Sequence, residues 1–90
     1  MNEPLERMLN EVVVLDTCTP ILYIGRLTEI TDSVLLLASA DMHDCRDGHA
    51  NKEMYLAEAH GNGITINRRS IVVMRSCVIS VSRLSDVVVE

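Results

Sequence analysis

Two stretches of the chain concentrate residues able to do chemistry. The first is Asp41-Met42-His43-Asp44-Cys45-Arg46-Asp47-Gly48-His49, with His60 further on. Imidazole, thiolate and carboxylate are the donors of zinc sites, and carboxylates alone suit harder cations. The spacing follows neither a zinc nor a calcium pattern, so no metal site is expected. His43, Cys45 and His49 are the residues that would have to build one, against the simpler reading of a solvated acidic loop. The second stretch is basic: Arg68-Arg69, followed by Arg75 and Arg83. Guanidinium forks match phosphate and carboxylate oxygens two at a time, so these residues could hold an anion or pair with the chain's own surplus of acids. Covalent chemistry has little to work with. Only Cys45 has a histidine close by, and neither GxSxG nor a P-loop occurs. Cys18 and Cys77 read as small fillers, and Tyr23 and Tyr55 as packing residues. A binding module is expected rather than an enzyme, with no catalytic residue and no cofactor.

Composition narrows the class. Ninety residues make one domain. Hydrophobic residues supply 48% and aromatic residues 2%, with no Phe or Trp, so the core must be aliphatic. The net charge of −5 counts against nucleic-acid binding over the whole surface. From Ile64 onward, however, Arg68, Arg69, Arg75 and Arg83 outnumber Asp86 and Glu90, which leaves room for a local basic face. The opening residues are polar and acidic, without the apolar run of a secretory signal, and no stretch reaches the ~20 apolar residues that cross a bilayer. Three widely spaced cysteines without CxxC read as reduced thiols. A cytoplasmic location and no membrane partner follow as expectations.

The elements that must position these residues show in the periodicity. Pro4 suits the first position of a helix over residues 4–11, with Asn2 or Glu3 as cap. Leu5, Met8, Leu9 and Val12 form one apolar stripe, which would lie across one end of a barrel. Residues 12–15 and 21–30 read as strands around a turn at 16–20. Gly25 in mid-strand normally weakens pairing, and a bend over a barrel corner is the reason to expect one there. Thr31-Asp32-Ser33 is a tight turn into residues 34–40, a run apolar enough for a strand buried on both faces. The long connection 41–70 opens as a loop at 41–50. It continues as a helix near 51–60, with Asn51 as N-cap and Gly61 or Gly63 as stop. Residues 71–74 and 78–84 are the last strands, separated by the tight turn Arg75-Ser76-Cys77, and residues 85–90 extend the last strand or lie free. These strands carry more apolar side chains than one small interior can hide, which points to cover from a second copy.

Against this layout, Ile24-Gly25-Arg26-Leu27-Thr28-Glu29-Ile30 with Val34-Leu35-Leu36-Leu37 resembles the first motif of the Sm-like (Lsm/Hfq-type) family, with spacing especially similar to Hfq. Val73-Met74-Arg75-Ser76 with Val78-Ile79-Ser80-Val81 resembles the second motif, an apolar residue and Arg-Gly or Lys-His before a short strand. The resemblance spans most of residues 4–40 and 71–84. It implies a mainly β fold: a small five-stranded SH3-like barrel with an N-terminal helix and, here, a short helix inserted between strands 3 and 4. It also implies a ring in which the fourth strand of one subunit pairs with the fifth of the next, with RNA as the ligand. Uridine-binding members use an Asp and an Asn after the second strand. Thr31 and Leu35 stand at those positions here, with Asp32 one place away. Arg75 matches the basic residue of the second motif, Ser76 stands where Gly or His is usual, and no aromatic residue is available there to stack a base.

Two functions stay open. One is a homo-oligomeric Sm-like ring that binds RNA through Arg75, with Arg68 and Arg69 as further contacts. The other is an SH3-type adaptor that binds other proteins and has no nucleic-acid role, favoured by the acidic balance and the missing base pocket.

Overall fold

The computed structural model describes residues 3–46 and 51–89. They form α1 (Glu3–Glu6), β1 (Val12–Thr17), β2 (Ile21–Ile30), β3 (Val34–Asp44), α2 (Lys52–Asn62), β4 (Arg68–Met74) and β5 (Val78–Arg83), with 3-10 turns at Arg75–Cys77 and Leu84–Asp86. The strands make one antiparallel sheet in the order β4-β3-β2-β1-β5, curled into a small SH3-like barrel. β4 and β5 are its two borders.

Two irregularities bend the sheet. Between Ile24↔Asp41 and Arg26↔Ala38 an extra residue enters β3, and Ser39 takes a φ of 51°. Between Leu27↔Leu37 and Glu29↔Leu36 the extra residue, Thr28, lies in β2. Such bulges sharpen twist and re-aim side chains. Gly25 sits at the first of them. A Cβ there would meet the Cβ of Ala40 at 2.9 Å and its Cα at 3.0 Å, so the expected bend has a concrete cause: β3 approaches too closely for any side chain.

Side-chain alternation then sorts the apolar residues between two clusters. Val13, Leu15, Leu27, Leu35, Leu37, Ala40 and Val73 fill the interior, with Leu5, Met8 and Leu9 packed across it as the stripe predicts. Val12 departs from that stripe. It opens β1 and is exposed, because the helix is regular only over Glu3–Glu6 and the chain turns at Asn10 with a φ of 69°. The second cluster lies outside the sheet. Val14, Leu22, Ile24 and Ala59 form it, with Tyr55, Leu56, Ile64, Leu84 and Val87 against them. α2 therefore covers the outer face of β1 and β2, and this helix absorbs part of the apolar surplus.

Several expected boundaries move. Residues 41–44 belong to β3, not to a loop, because the long β2 offers partners for them as far as Ile21↔Asp44. The strand expected to be buried on both faces is buried on one: Leu35 and Leu37 are inside, while Val34, Leu36 and Ala38 are half-buried. β1 is the strand covered on both sides, by the interior and by α2. Asn51 caps α2, its side-chain oxygen accepting from Met54 N at 2.9 Å. The helix runs past Gly61 and stops at Gly63, which holds a φ of 82° and donates its N–H to Ala59 O at 2.9 Å. β4 starts at Arg68, and β5 ends at Arg83, where the 3-10 turn brings Val87 back onto the outer cluster.

Candidate nucleic-acid interface

The β2–β3 turn is held by Thr31. Its Oγ1 accepts from Ser33 N at 3.2 Å and Val34 N at 3.0 Å, while its own N–H donates to Val34 O at 3.0 Å. The register Val34↔Met74 sets Arg75 beside this turn. Arg75 N donates to Ser33 O at 2.9 Å, and its Nη1 donates to Thr31 O at 2.6 Å. The turn within the first motif and the arginine of the second, far apart in sequence, are thus locked together. The guanidinium is placed by the backbone it touches, and it brings a permanent positive charge to this end of the barrel. The polar groups of Thr31 are occupied in shaping the turn. Leu35 is 1% exposed in the interior, so it is closed to any ligand, while Asp32 stands exposed at the tip.

Arg68 and Arg69 lie elsewhere. Arg68 opposes Ala40 at the start of β4, whereas Met74, next to Arg75, opposes Val34 at its end. At about 3.3 Å per residue the two ends are roughly 20 Å apart. The three arginines therefore do not converge. Arg68 Nη1 donates to Asn67 O at 2.9 Å, and both Arg68 and Arg69 are exposed. Arg83 is paired with the chain's own acids, Glu11 at 2.8 Å and Asp86 at 3.6 Å.

Of the residues considered for a metal, His43 and Cys45 have other contacts. His43 stacks on Tyr55 with ring centroids 3.9 Å apart, and its Nε2 is buried without a hydrogen-bond partner among the described residues. Asp44 grips Arg46 with contacts of 3.0 and 2.7 Å, and this guanidinium holds its carboxyl down at about 2. Burial pushes the Cys45 thiol up as it packs on the outer cluster. Burial likewise raises the Asp41 carboxyl, against the opposing pull of His43 and Asn67. Among the described residues no three His, Cys, Asp or Glu side chains come together, and His49 lies outside those residues. The organising residue here is Asn67. It donates to Asp41 Oδ1 at 2.9 Å and to Met42 O at 3.1 Å, and accepts from Met42 N at 3.0 Å. Sequence gave no sign of it, since a lone Asn in a connection has no periodic signature. Tyr23 packs on the interior and Tyr55 on His43, so neither tyrosine belongs to the Arg75 turn.

A bent second strand, an N-terminal segment closing the interior and a short 3-10 turn between the fourth and fifth strands define an Sm-like fold. Over 90% of its length the chain is similar to 93% of an Sm protein from Pyrococcus abyssii, solved in complex with a uridine heptamer, with a TM-score of 0.61 at 18% identity. No family model and no curated protein matches the sequence. No helix among the described residues is long and apolar enough to cross a membrane.

Proposed function

We propose that the chain is a single, non-catalytic Sm-like domain that assembles into a homo-oligomeric ring in the cytoplasm and binds RNA at the face carrying Arg75. The observation that carries this is the docking of Arg75 on the Thr31–Ser33 turn, which seats a guanidinium between the two motif turns. The similar Sm protein, solved with a uridine heptamer, supports RNA as the ligand. Thr31 and Leu35 remove the usual side chains for reading uridine, so phosphate and backbone contact carry more of the binding than base readout does. Arg68 and Arg69, at the far end of β4, serve as a second, weaker contact. For assembly, β4 and β5 supply unpaired strand borders, and Val72, Met74 and Ile79 supply exposed apolar surface beside them. A contact of one subunit's β4 with the next subunit's β5 is heterologous and closes by rotation.

Light scattering tests the assembly, with a multimer expected; a stable monomer at micromolar concentration overturns it. Binding of U-rich and A-rich oligonucleotides should weaken with salt, and Arg75→Ala should lower affinity about tenfold or more, as loss of a charge-assisted contact does. Because Arg75 also holds the turn, Arg75→Lys separates charge from fold by keeping the charge. No binding at low salt overturns the RNA reading. The adaptor reading would then stand, favoured by the engagement of both tyrosines away from the turn and by the net charge of −5. Its sign would be protein capture that survives nuclease treatment.

A further inference from the structure

β1 and β5 pair as far as Thr17↔Val78, one residue short of Cys18 and Cys77. Beyond that end, past a bulge at Asp16/Thr17, one further backbone bond joins β1's exit to the 3-10 turn, Cys18 N donating to Cys77 O at 3.0 Å. Thr17 is buried and Val78 packs on the interior cluster, while the chain leaves the sheet at Cys18 and enters it from the 3-10 turn at Cys77. Cys18 and Cys77 are both exposed, which overturns their reading as fillers. A backbone N–H···O=C contact of this length holds the two Cα atoms roughly 5–6.5 Å apart, inside the roughly 4.4–6.8 Å that a disulfide spans. Cys45 differs in every respect: it is half-buried in the outer cluster, with burial raising its thiol.

The position matters because the Arg75–Cys77 turn links the two borders of the sheet. Contacts from Arg75 to Ser33 and Thr31 hold one end of it, and the Cys77 carbonyl holds the other. We propose that Cys18 and Cys77 form a paired dithiol at the end of the β1–β5 ladder that low-molecular-weight disulfides convert to an intramolecular disulfide, a reversible brace on the turn that carries Arg75. In the first step one cysteine, as thiolate, attacks a sulfur of the small disulfide, whose S–S bond breaks and releases one small thiol. In the second, the other cysteine attacks the protein sulfur of that mixed disulfide, forming the Cys18–Cys77 bond and releasing the second small thiol. Two protein thiols are oxidised, one small disulfide is reduced, and the two protein protons end on the released thiols. This pairing is independent of any RNA.

The test incubates the full chain with oxidised glutathione and follows free thiols and intact mass. The three titratable thiols should fall to one, located at Cys45 by peptide mapping, with a loss of about 2 Da and full reversal by dithiothreitol. Thermal unfolding of the oxidised form should shift upward. Cys18→Ser and Cys77→Ser should each end with a glutathione adduct on the remaining partner and no such shift. Stable adducts on both cysteines of the unsubstituted chain, links between chains on a non-reducing gel, or a residual thiol other than Cys45 would overturn the proposal.

Discussion

The two faces of the sheet are both apolar but are closed by different means. Inside, residues from all five strands and the N-terminal segment seal one another, and Val13, Leu15 and Leu27 are 0% exposed. Outside, α2 and residues 84–87 cover β1 and β2, where Leu22 and Ile24 are just as buried. Over the border strands that cover stops, and Val72, Met74 and Ile79 remain 53%, 56% and 66% exposed. A strand's hydrophobicity therefore has three destinations in this molecule: the interior, the added helix, and a surface that stays exposed.

The largest effect should come from the interior. Leu27→Ala should cost about 2–5 kcal/mol by urea unfolding, since a sealed site relaxes little around a cavity. Leu56→Ala, half-buried on the α2 side, should cost clearly less; equal losses would mean that the helix seals the outer face as tightly as the strands seal the inner one. Gly25→Ala should destabilise by about 1–3 kcal/mol, because the new methyl meets Ala40 at 2.9 Å and backbone lies directly behind it. Adding Ala40→Gly should restore part of that loss; a purely additive double variant would show that close approach is not what requires glycine. Val72→Lys combined with Ile79→Lys should change monomer unfolding by only about 0.5 kcal/mol while abolishing the proposed self-assembly in light scattering. If the variant still assembles, these residues are not the cover.

The smallest effect belongs to Asp41. Burial raises its folded carboxyl pKa, so the charged form is the disfavoured one in the native state. Its contribution to stability is present at low pH and is lost as pH rises through that raised value. Asp41→Asn, which can still accept from Asn67, should remove this slope and leave neutral-pH stability equal or slightly higher. An unchanged difference in urea midpoint between acidic and neutral conditions would assign the slope to other groups.

Features set by neighbours in the chain were legible from residue type. Asn51 as a cap, Thr31-Asp32-Ser33 as a turn, Gly25 as the site of a bend and Leu5, Met8 and Leu9 as a packed stripe all stand in the structure. Arg75 was singled out by motif resemblance, whereas its contacts with Thr31 and Ser33 came only from the structure. Boundaries failed where polarity misled. Asp41 to Asp44 look like loop residues, yet a partner strand satisfies their backbone, and hydrogen bonding decides strand identity more firmly than side-chain polarity does.

By itself the sequence determined the order of elements, the aliphatic interior and the bend, because helix and strand periods, caps and tight turns depend on residues a few places apart. Only the tertiary structure decided which distant groups meet. It joined Arg75 to Thr31, split Arg68 and Arg69 from Arg75 by the length of a strand, set Cys18 beside Cys77 and laid α2 on the outside of β1 and β2. The physical reason is register. One bulge changes what faces what along a whole strand, and no local preference encodes that choice.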